Sequence, residues 1–480
     1  MKARCHFSFF ICAIICLSLP ASARFVPDGV VKSDDYTVLM AVDGNYSRGV
    51  QEFQGGGHGK FHLRQWTNEQ FSVAWKINVP VAGDYHVNLL ARLQGADAVA
   101  TLKIQGDGTG VEMPLGQAAR QWERLSFSTT ITLRQGEQTV ILQFSPKESG
   151  SRINLEVLSV ELVRPCIKER LHTEAKQMRA DTAWLQEAGH GAMVHWTSQT
   201  QPRNGAQKPY AQAVHDFDVK TFAQQMRDCG VGFVVLTTSH AEMRFPGPNK
   251  TLDSLLPGRT ATRDLVAELI VELKKYNIQL MLYYHIGAAS DPQWLEASGF
   301  WKTDTTQVFE NWRKIITEIG LRYGDGLTGW WFDDGTVNYY YRSAPWKSLL
   351  QAARAGNPKR LVGFNSWELP SPTEFHDLYL GEGNRNPSGT GALLTRNGSG
   401  RYPTGSHEGL QSCSTLVFES DWIYMRGGQP IAGWQFSVEN MRQMIQDFKA
   451  YHNVLIFNFE ITQEGTISPE SVEMFKKVLK

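Results

Sequence analysis

A repeated alternation of apolar runs with amphipathic segments, which fills the chain after Gly189, restricts its fold more than any other feature. The apolar runs are short enough for buried strands, and the segments between them have helical periodicity. The predicted strands are 191–196, 232–238, 278–285, 327–333, 361–365, 377–381, 415–419 and 453–459. The predicted helices are 218–229, 263–276, 307–323, 344–355, 438–451 and 469–478.

Eight strands with intervening helices in about 290 residues fit a (β/α)8 barrel of the TIM type. A doubly wound open sheet is the alternative for the same alternation of elements. That fold is less favoured because no glycine-rich dinucleotide-binding motif follows the first strand. The interval 383–412, rich in Gly, Asn and Ser, is predicted to be a long surface loop.

Residues 24–164 have a different pattern, in which apolar and polar residues alternate with a period of two. Alternating runs at 71–77, 85–93, 98–104, 129–133, 139–144 and 153–163 are separated by short turns. Many short strands at this spacing predict a β-sandwich or jelly roll. The chain is therefore predicted to have two folded domains, an all-β sandwich at 24–164 and the barrel at 165–480.

Two segments of the sandwich carry a resemblance to a known domain type. Gly83-Asp84-Tyr85-His86-Val87 looks like a "G-x-Y-x-V" strand, and residues 133–140 look like an "L-x-x-G-x-x-x-V" hairpin. In these features the domain resembles carbohydrate-binding modules of the galactose-binding-like jelly-roll type. The resemblance implies a fold more than a ligand. A purely structural sandwich that packs on its neighbour is the alternative.

Residues 1–23 have the composition of a secretory signal peptide. Lys2 and Arg4 precede an apolar run at 7–19 that is too short to span a bilayer, and Ala21-Ser22-Ala23 forms a small-x-small cleavage site. We therefore expect a secreted or periplasmic protein. No later apolar run has membrane-spanning length, so no membrane association is expected once the signal is removed.

The charge of the mature chain argues against a nucleic-acid partner. The sequence has 48 basic and 48 acidic residues, and removal of Lys2 and Arg4 leaves a net charge of −2. A near-neutral chain lacks the basic surface that binds phosphates. The cysteines outside the signal segment, Cys166, Cys229 and Cys413, lack metal-type spacing, so no metal site is predicted.

The stretch 330–335, Trp-Trp-Phe-Asp-Asp-Gly, ends the fourth predicted strand with two carboxylates. Strand ends of this kind point into the active site of β/α barrels. Successive strand residues face opposite sides, so Trp331 and Asp333 share one side, and Asp334 points to the barrel wall or caps a helix. The alternative is that Asp333 itself only caps a helix or closes a turn.

Polar residues recur at the ends of the other predicted strands. These strand-end residues are His195-Trp196, Ser239-His240, Tyr284-His285, Asn365, Glu382 and Glu419. Two carboxylates with histidine and aromatic side chains around one cleft are the groups that a glycosidase uses. One carboxylate attacks the anomeric carbon and the other, held protonated, donates to the leaving oxygen.

Over residues 189–480 the sequence resembles glycoside hydrolase family 29, the α-L-fucosidases. The matching segments are 191–196 (G-A-M-V-H-W), 234–240, 263–269 (R-D-L-V-A-E-L), 282–284, 331–333 (W-F-D), 377–382, 410–416, 453–458 and 465–470. Their order and spacing together are specific for the family.

The resemblance implies a retaining hydrolase that acts on a fucosylated or related glycan, with Asp333 as nucleophile and Glu382 as acid/base. Glu419, Glu368 and Glu374 are alternative acids. The implied sugar-binding residues are His195, Trp196, His240, Tyr284 and Trp331. No metal or organic cofactor is required for this chemistry. Nothing in the sequence indicates an oligomeric state.

Several positions depart from the family pattern. The paired histidines of the family are Ser239-His240 here, Asp334 stands where the family has glycine, and Ser366-Trp367 stands where it has an arginine. Because the implied nucleophile and acid are retained while sugar-binding groups change, we expect an enzyme with altered sugar preference. The alternative is a catalytically inactive glycan-binding protein of the same fold.

Overall fold

The protein is described from a computed structural model. The structure describes residues 31–54, 61–67, 70–108, 110–120, 122–240, 242–285, 291–300, 305–333, 344–366, 369–382, 394–431 and 433–480. The predicted signal segment and Asp334, Trp367 and Glu368 lie outside these residues. None of the helices in the described ranges has the length and apolar character needed to cross a membrane.

The N-terminal part is a sandwich of two antiparallel sheets, as the period-two pattern predicted. Its strands are β1 (Thr37–Met40), β2 (Asn45–Tyr46), β3 (Gln51–Gln54), β4 (Phe61–Thr67), β5 (Phe71–Val79), β6 (Gly83–Gly95), β7 (Ala98–Ile104), β8 (Gly110–Leu115), β9 (Glu123–Ser126), β10 (Ile131–Leu133), β11 (Gly136–Pro146) and β12 (Ile153–Val163). One sheet has the order β10-β6-β12-β4-β3, with β1 on β12 and β9 on β6, and the other has the order β2-β5-β11-β7-β8.

The C-terminal part is a closed barrel of eight parallel strands, which confirms the predicted fold class. The strands are β13 (His190–Val194), β14 (Phe233–Ser239), β15 (Gln279–His285), β16 (Leu327–Asp333), β17 (Leu361–Phe364), β18 (Leu378–Glu382), β19 (Gln411–Val417) and β20 (Val454–Phe459). Strand β20 pairs with β13 and closes the ring, so the alternative of an open doubly wound sheet is wrong.

The helices of this part lie outside the strand ring. They are α1 (Pro165–Met178), α2 (Ala183–Glu187), α3 (Tyr210–Asp216), α4 (Val219–Asp228), α5 (Lys250–Leu255), α6 (Leu265–Lys274), α7 (Pro292–Ser298), α8 (Thr306–Tyr323), α9 (Trp346–Ala353), α10 (Val438–Ala450) and α11 (Pro469–Val478). Strand β19 begins four residues before the predicted 415–419. Its first residues, Gln411 and Ser412, are polar yet fully buried, which hid the strand from a hydrophobicity pattern.

Each barrel strand is buried on both sides, and alternate residues belong to different cores. Met193, Met281 and Trp331 pack together inside the ring. Leu282 and Trp330 pack outside it, against the helices. This alternation decides which side chains at each strand end can reach the cavity above the barrel interior.

The sandwich packs directly on the barrel. Leu90, Trp122 and Leu158 of the sandwich belong to the same hydrophobic cluster as the barrel helices. Helix α1 begins two residues after β12 ends, so Arg164 alone separates the two parts. Burial of sandwich side chains against the helix layer stabilises this arrangement through the hydrophobic effect.

A buried arginine holds together the barrel base, at the end opposite the strand C-termini. Arg360 is fully buried before β17. Its guanidinium donates to five backbone carbonyls, those of Gly320, Gly324, Leu327, Ala353 and Ala355, at 2.7–3.0 Å. Two of these carbonyls, those of Gly320 and Ala353, lie in the last turns of α8 and α9, where Arg360 adds a donor to a buried helix end.

Candidate active site

Asp333 is the last residue of β16 and shares its inward side with Trp331. Trp330 and Phe332 face the helix layer, where their rings stack at 5.2 Å between centroids. The carboxylate of Asp333 is half-buried at the C-terminal mouth of the barrel. Tyr283 Oη donates to its Oδ2 at 2.6 Å. Asp333 is therefore oriented by a neighbour from the adjacent strand β15.

Asn365 joins the two candidate catalytic carboxylates. Its Nδ2 donates to Asp333 Oδ1 at 2.7 Å and to Glu382 Oε1 at 2.8 Å. The two oxygens cannot be further apart than the sum of these distances, 5.5 Å. Glu382 ends β18 and shares its inward side with Leu378 and Leu380. The structure thus places the carboxyl groups of Asp333 and Glu382 close together above the barrel interior.

His195 immediately follows β13, lies beside Tyr283 and is fixed by Asn458. The Asn458 amide donates from Nδ2 to the backbone carbonyls of Asp421 and Trp422, at 3.4 and 3.1 Å. Its Oδ1 therefore faces His195 Nδ1, at 2.8 Å, and accepts the ring proton. Burial lowers the pKa of His195 to about 3, so the ring is neutral and Nε2 is its acceptor.

An aromatic cluster surrounds His195. Its ring centroid lies 4.9 Å from Tyr283, 5.3 Å from Trp422 and 5.6 Å from His240. His240 also contacts His285, at 5.4 Å. Three histidines in one cavity raise the question of a metal, but within the described ranges no three His, Cys, Asp or Glu side chains are arranged to hold one. The cluster presents ring faces and imidazole nitrogens to the cavity, which suit a sugar.

Two predicted sugar-binding residues are placed elsewhere, and both predictions are corrected. Tyr284 is fully buried on the outer side of β15, where its hydroxyl contacts Met243 Sδ at 3.1 Å. Trp196 is also buried in the helix layer, and its indole donates to the Gln463 carbonyl at 3.1 Å. Each lies one residue after the side chain that faces the cavity, because neighbouring strand residues point to opposite sides.

The other predicted residues divide between the cavity and the rest of the molecule. His195 and His240 lie in the cavity, and Trp331 forms part of the layer below Asp333. Glu419 is fully buried behind β19, where the Ser471 hydroxyl donates to it at 2.7 Å. Glu374 lies 3.6 Å from His172 in the cleft between sandwich and barrel. Neither alternative acid is therefore near Asp333, and Asp334 and Glu368 lie outside the described residues.

Sequence reasoning assigned no site role to Tyr283, Trp422, Asn365 or Asn458. Asn365 was itself a recognised strand-end residue, Tyr283 stood next to one, and Asn458 lay in the 453–458 motif, so the sequence contained a signal for these three. Trp422 had none, because it lies on an irregular segment after β19 and reaches the site only through the fold.

The geometry can be compared with known proteins. The family model for α-L-fucosidase matches residues 208–480, more than half of the chain. The chain belongs to the α-L-fucosidase family. As a member of this family it is a glycoside hydrolase with a glycan substrate, and the family match includes both Asp333 and Glu382. No curated protein sequence matches the chain.

Several solved fucosidase structures are similar to this family member. A bacterial fucosidase with a phenyl-triazole pyrrolidine inhibitor has 16% identity and a TM-score of 0.45, covering 62% of this chain and 73% of that one. A GH29 α-L-fucosidase from Bacteroides thetaiotaomicron has 16% identity, the same coverages and a TM-score of 0.43. AlfC from Lactobacillus casei, bound to α-L-fucose, has 16% identity and a TM-score of 0.42 over 62% of this chain and 96% of its own. The family assignment depends on the family model and not on these similarities.

Proposed function

We propose that the protein is an exported, α-L-fucosidase-like retaining glycoside hydrolase in which Asp333 is the nucleophile and Glu382 the acid/base. The observation that carries this proposal is the double hydrogen bond from Asn365 Nδ2 to Asp333 and Glu382. It holds two carboxylates within 5.5 Å of each other at the mouth of the barrel. Retaining enzymes have their carboxyl groups about 5–5.5 Å apart, whereas inverting enzymes need about 6.5–9.5 Å to admit a water.

The reaction then follows in two steps. Asp333 attacks the anomeric carbon while Glu382 protonates the departing glycosidic oxygen, which leaves a glycosyl-enzyme ester on Asp333. Glu382, now ionised, takes a proton from the attacking water, and the ester is hydrolysed with net retention. Tyr283 and Asn365 keep the Asp333 carboxylate in position through two hydrogen bonds.

The neutral His195 suits the recognition of a sugar hydroxyl. Its Nδ1–H donates a hydrogen bond to Asn458 Oδ1, so Nε2 can accept one from a substrate hydroxyl without a change of charge. His240 and Trp422 contribute ring faces beside it. A site built from hydroxyl acceptors and ring faces distinguishes sugars by which hydroxyls are axial or equatorial.

An altered sugar preference is supported by the position where the family has its first paired histidine. Here that position is Ser239, and its hydroxyl accepts from the backbone N–H of His285 at 3.0 Å. The serine is buried, and its hydroxyl is engaged with the strand end. One imidazole that would bind a hydroxyl in the family pattern is therefore replaced, so the preferred sugar is expected to differ from fucose at one hydroxyl.

The test is a screen of aryl glycosides with purified mature protein, starting with the α-L-fucoside. Asp333→Gly should lose turnover and regain it with azide, forming a glycosyl azide of inverted configuration. Asp334→Gly is the matched control and should need no rescue. Azide rescue of Asp334→Gly alone would refute the assignment of Asp333. Export is tested separately by mass spectrometry of the extracytoplasmic protein, which should begin at Arg24.

A further inference from the structure

Segment 420–426 follows β19 and brings Trp422 to the sugar-binding cavity. The Trp422 ring lies 5.3 Å from the ring of His195 and packs against the side chains of the barrel interior. All residues of this segment are described, and they form neither strand nor helix. A side chain on an irregular segment needs further contacts if it is to keep one position beside a substrate.

A buried carboxylate, that of Glu460, holds the start of this segment. Glu460 follows the last residue of β20 and is fully buried. Its Oε1 accepts from the Ser420 hydroxyl at 2.7 Å and from the backbone N–H of Asp421 at 3.1 Å. The two residues that precede Trp422 are therefore bound to one carboxylate oxygen.

Arg426 binds the same carboxylate from the other end of the segment. Its Nη2 donates to both oxygens of Glu460, at 3.1 and 3.2 Å, and to the Ser420 hydroxyl at 2.6 Å. The Glu460 side chain is fully buried, whereas that of Arg426 is 42% exposed. One ion pair therefore joins the two ends of the segment, with Trp422 between them.

Strand β20 connects this ion pair with His195. Asn458 lies two residues before Glu460. Its amide donates to the carbonyls of Asp421 and Trp422, and its Oδ1 accepts from His195. Segment 420–426 is therefore bound to the end of β20 at two points, and the position of Trp422 and the orientation of His195 depend on the same contacts.

An ion pair with a buried partner contributes little net stability, because the desolvation of the charges offsets their attraction. Loss of one partner is nevertheless costly, because the other charge is left buried and unpaired. Such a pair favours the one arrangement of the chain in which both partners meet. We infer that Glu460 is a positioning residue, which with Arg426 holds Trp422 beside His195 as a ring face for the bound sugar. This inference rests on the proposed function, because it concerns the sugar site of the same reaction.

Arg426→Met removes the charge that pairs with Glu460 and keeps an unbranched side chain. A ring that contacts the substrate equally in the ground and transition states affects KM and not kcat. Arg426→Met should therefore raise KM for 4-nitrophenyl α-L-fucoside, or for the 4-nitrophenyl glycoside that the screen selects, about tenfold and change kcat less than threefold. A loss of folded protein would instead lower the apparent kcat and leave KM unchanged. Arg426→Lys keeps a positive charge and should recover most of the lost affinity.

Arg124→Met is the matched control, because it also takes the arginine from a buried glutamate. Arg124, in the sandwich, donates to both carboxylate oxygens of Glu161, which is 4% exposed. This variant should leave KM and kcat unchanged. An unchanged KM for Arg426→Met, or an equal rise for Arg124→Met, would overturn the inference.

A double variant shows whether the ion pair acts through the indole. Trp422→Ala should raise KM about tenfold, and so should Glu460→Gln, which keeps the shape of the side chain and removes its charge. Two residues that act through one contact are not additive, so the double variant should exceed either single variant by less than about threefold. A rise of about a hundredfold, the product of the two, would show that Glu460 acts elsewhere and overturn the inference.

Hydrogen exchange makes the test independent of turnover. The Asp421 N–H is bound to Glu460, so peptides that cover 420–426 should exchange about tenfold faster in Arg426→Met than in the wild type or Arg124→Met. If exchange accelerates in this way and the wild type cleaves no aryl glycoside, the positioning role stands and the proposed function fails. If the wild type cleaves its glycoside and Arg426→Met changes neither exchange nor KM, the proposed function stands and the positioning role fails.

Discussion

Replacing Asn365 by alanine removes the amide that lies between the two carboxylates. The oxygens of Asp333 and Glu382 are at most 5.5 Å apart. If both carboxyls were ionised, they would repel by about 3 kcal/mol at that distance and an effective dielectric constant of about 20. A hydrogen bond to a charged group contributes roughly 1.5–3 kcal/mol. Asn365 supplies one such bond to Asp333 and one to Glu382, so Asn365→Ala removes a hydrogen bond from both catalytic groups.

We expect kcat/KM of Asn365→Ala to fall about 100- to 1000-fold, comparable to the loss of one donor that stabilises charge in a transition state. The assay is hydrolysis of the preferred aryl glycoside, with kcat and KM measured separately.

The control is Asn357→Ala, which removes a buried amide that donates to the Leu327 carbonyl at the barrel base. This variant should lose stability but keep kcat/KM. A fall of less than threefold for Asn365→Ala would show that the amide bridge does not act in catalysis. An equal fall in kcat/KM for Asn357→Ala would show that the loss of a buried amide lowers activity wherever it lies, and not through the carboxylates.

Three further outcomes are expected. Tyr283→Phe should lower kcat/KM about 10- to 100-fold through loss of the hydroxyl bound to Asp333, whereas Tyr284→Phe should change it less than threefold. Burial raises the pKa of Glu419 to about 8, so the native carboxyl keeps a proton that the unfolded chain releases above pH 4.5. The free energy of unfolding of the wild type then falls as pH rises from 4.5 to 8, whereas that of Glu419→Gln lacks this contribution. Urea unfolding should show that the difference in free energy of unfolding, variant minus wild type, is larger at pH 8 than at pH 5 by roughly 2–4 kcal/mol. Arg360→Met should reduce the free energy of unfolding by about 3–5 kcal/mol, because it removes five hydrogen bonds to buried carbonyls, while kcat/KM of the folded enzyme stays the same.

The order and type of the elements could be predicted from the sequence. The sandwich strands were visible because one side of each is polar, which leaves a period-two pattern such as that of β5. The barrel helices could also be predicted, because each has a polar outer side that gives the apolar residues a helical periodicity. The strand ends that carry His195, Asp333 and Glu382 followed from the strands, and the family motifs named the same residues.

Only the tertiary structure decided which neighbouring residue at a strand end faces the cavity. Strands β13 and β15 are buried on both sides, so nearly every residue in them is apolar and the sequence has no alternation that distinguishes inside from outside. For that reason Tyr284 was chosen where Tyr283 faces inward, and Trp196 was chosen together with His195 although only His195 faces inward. The Asn365 bridge was also hidden, because its partners lie 32 and 17 residues away along the chain. Contacts of that kind depend on the pairing of β16, β17 and β18, which sets their C-terminal ends side by side and which no local sequence pattern encodes.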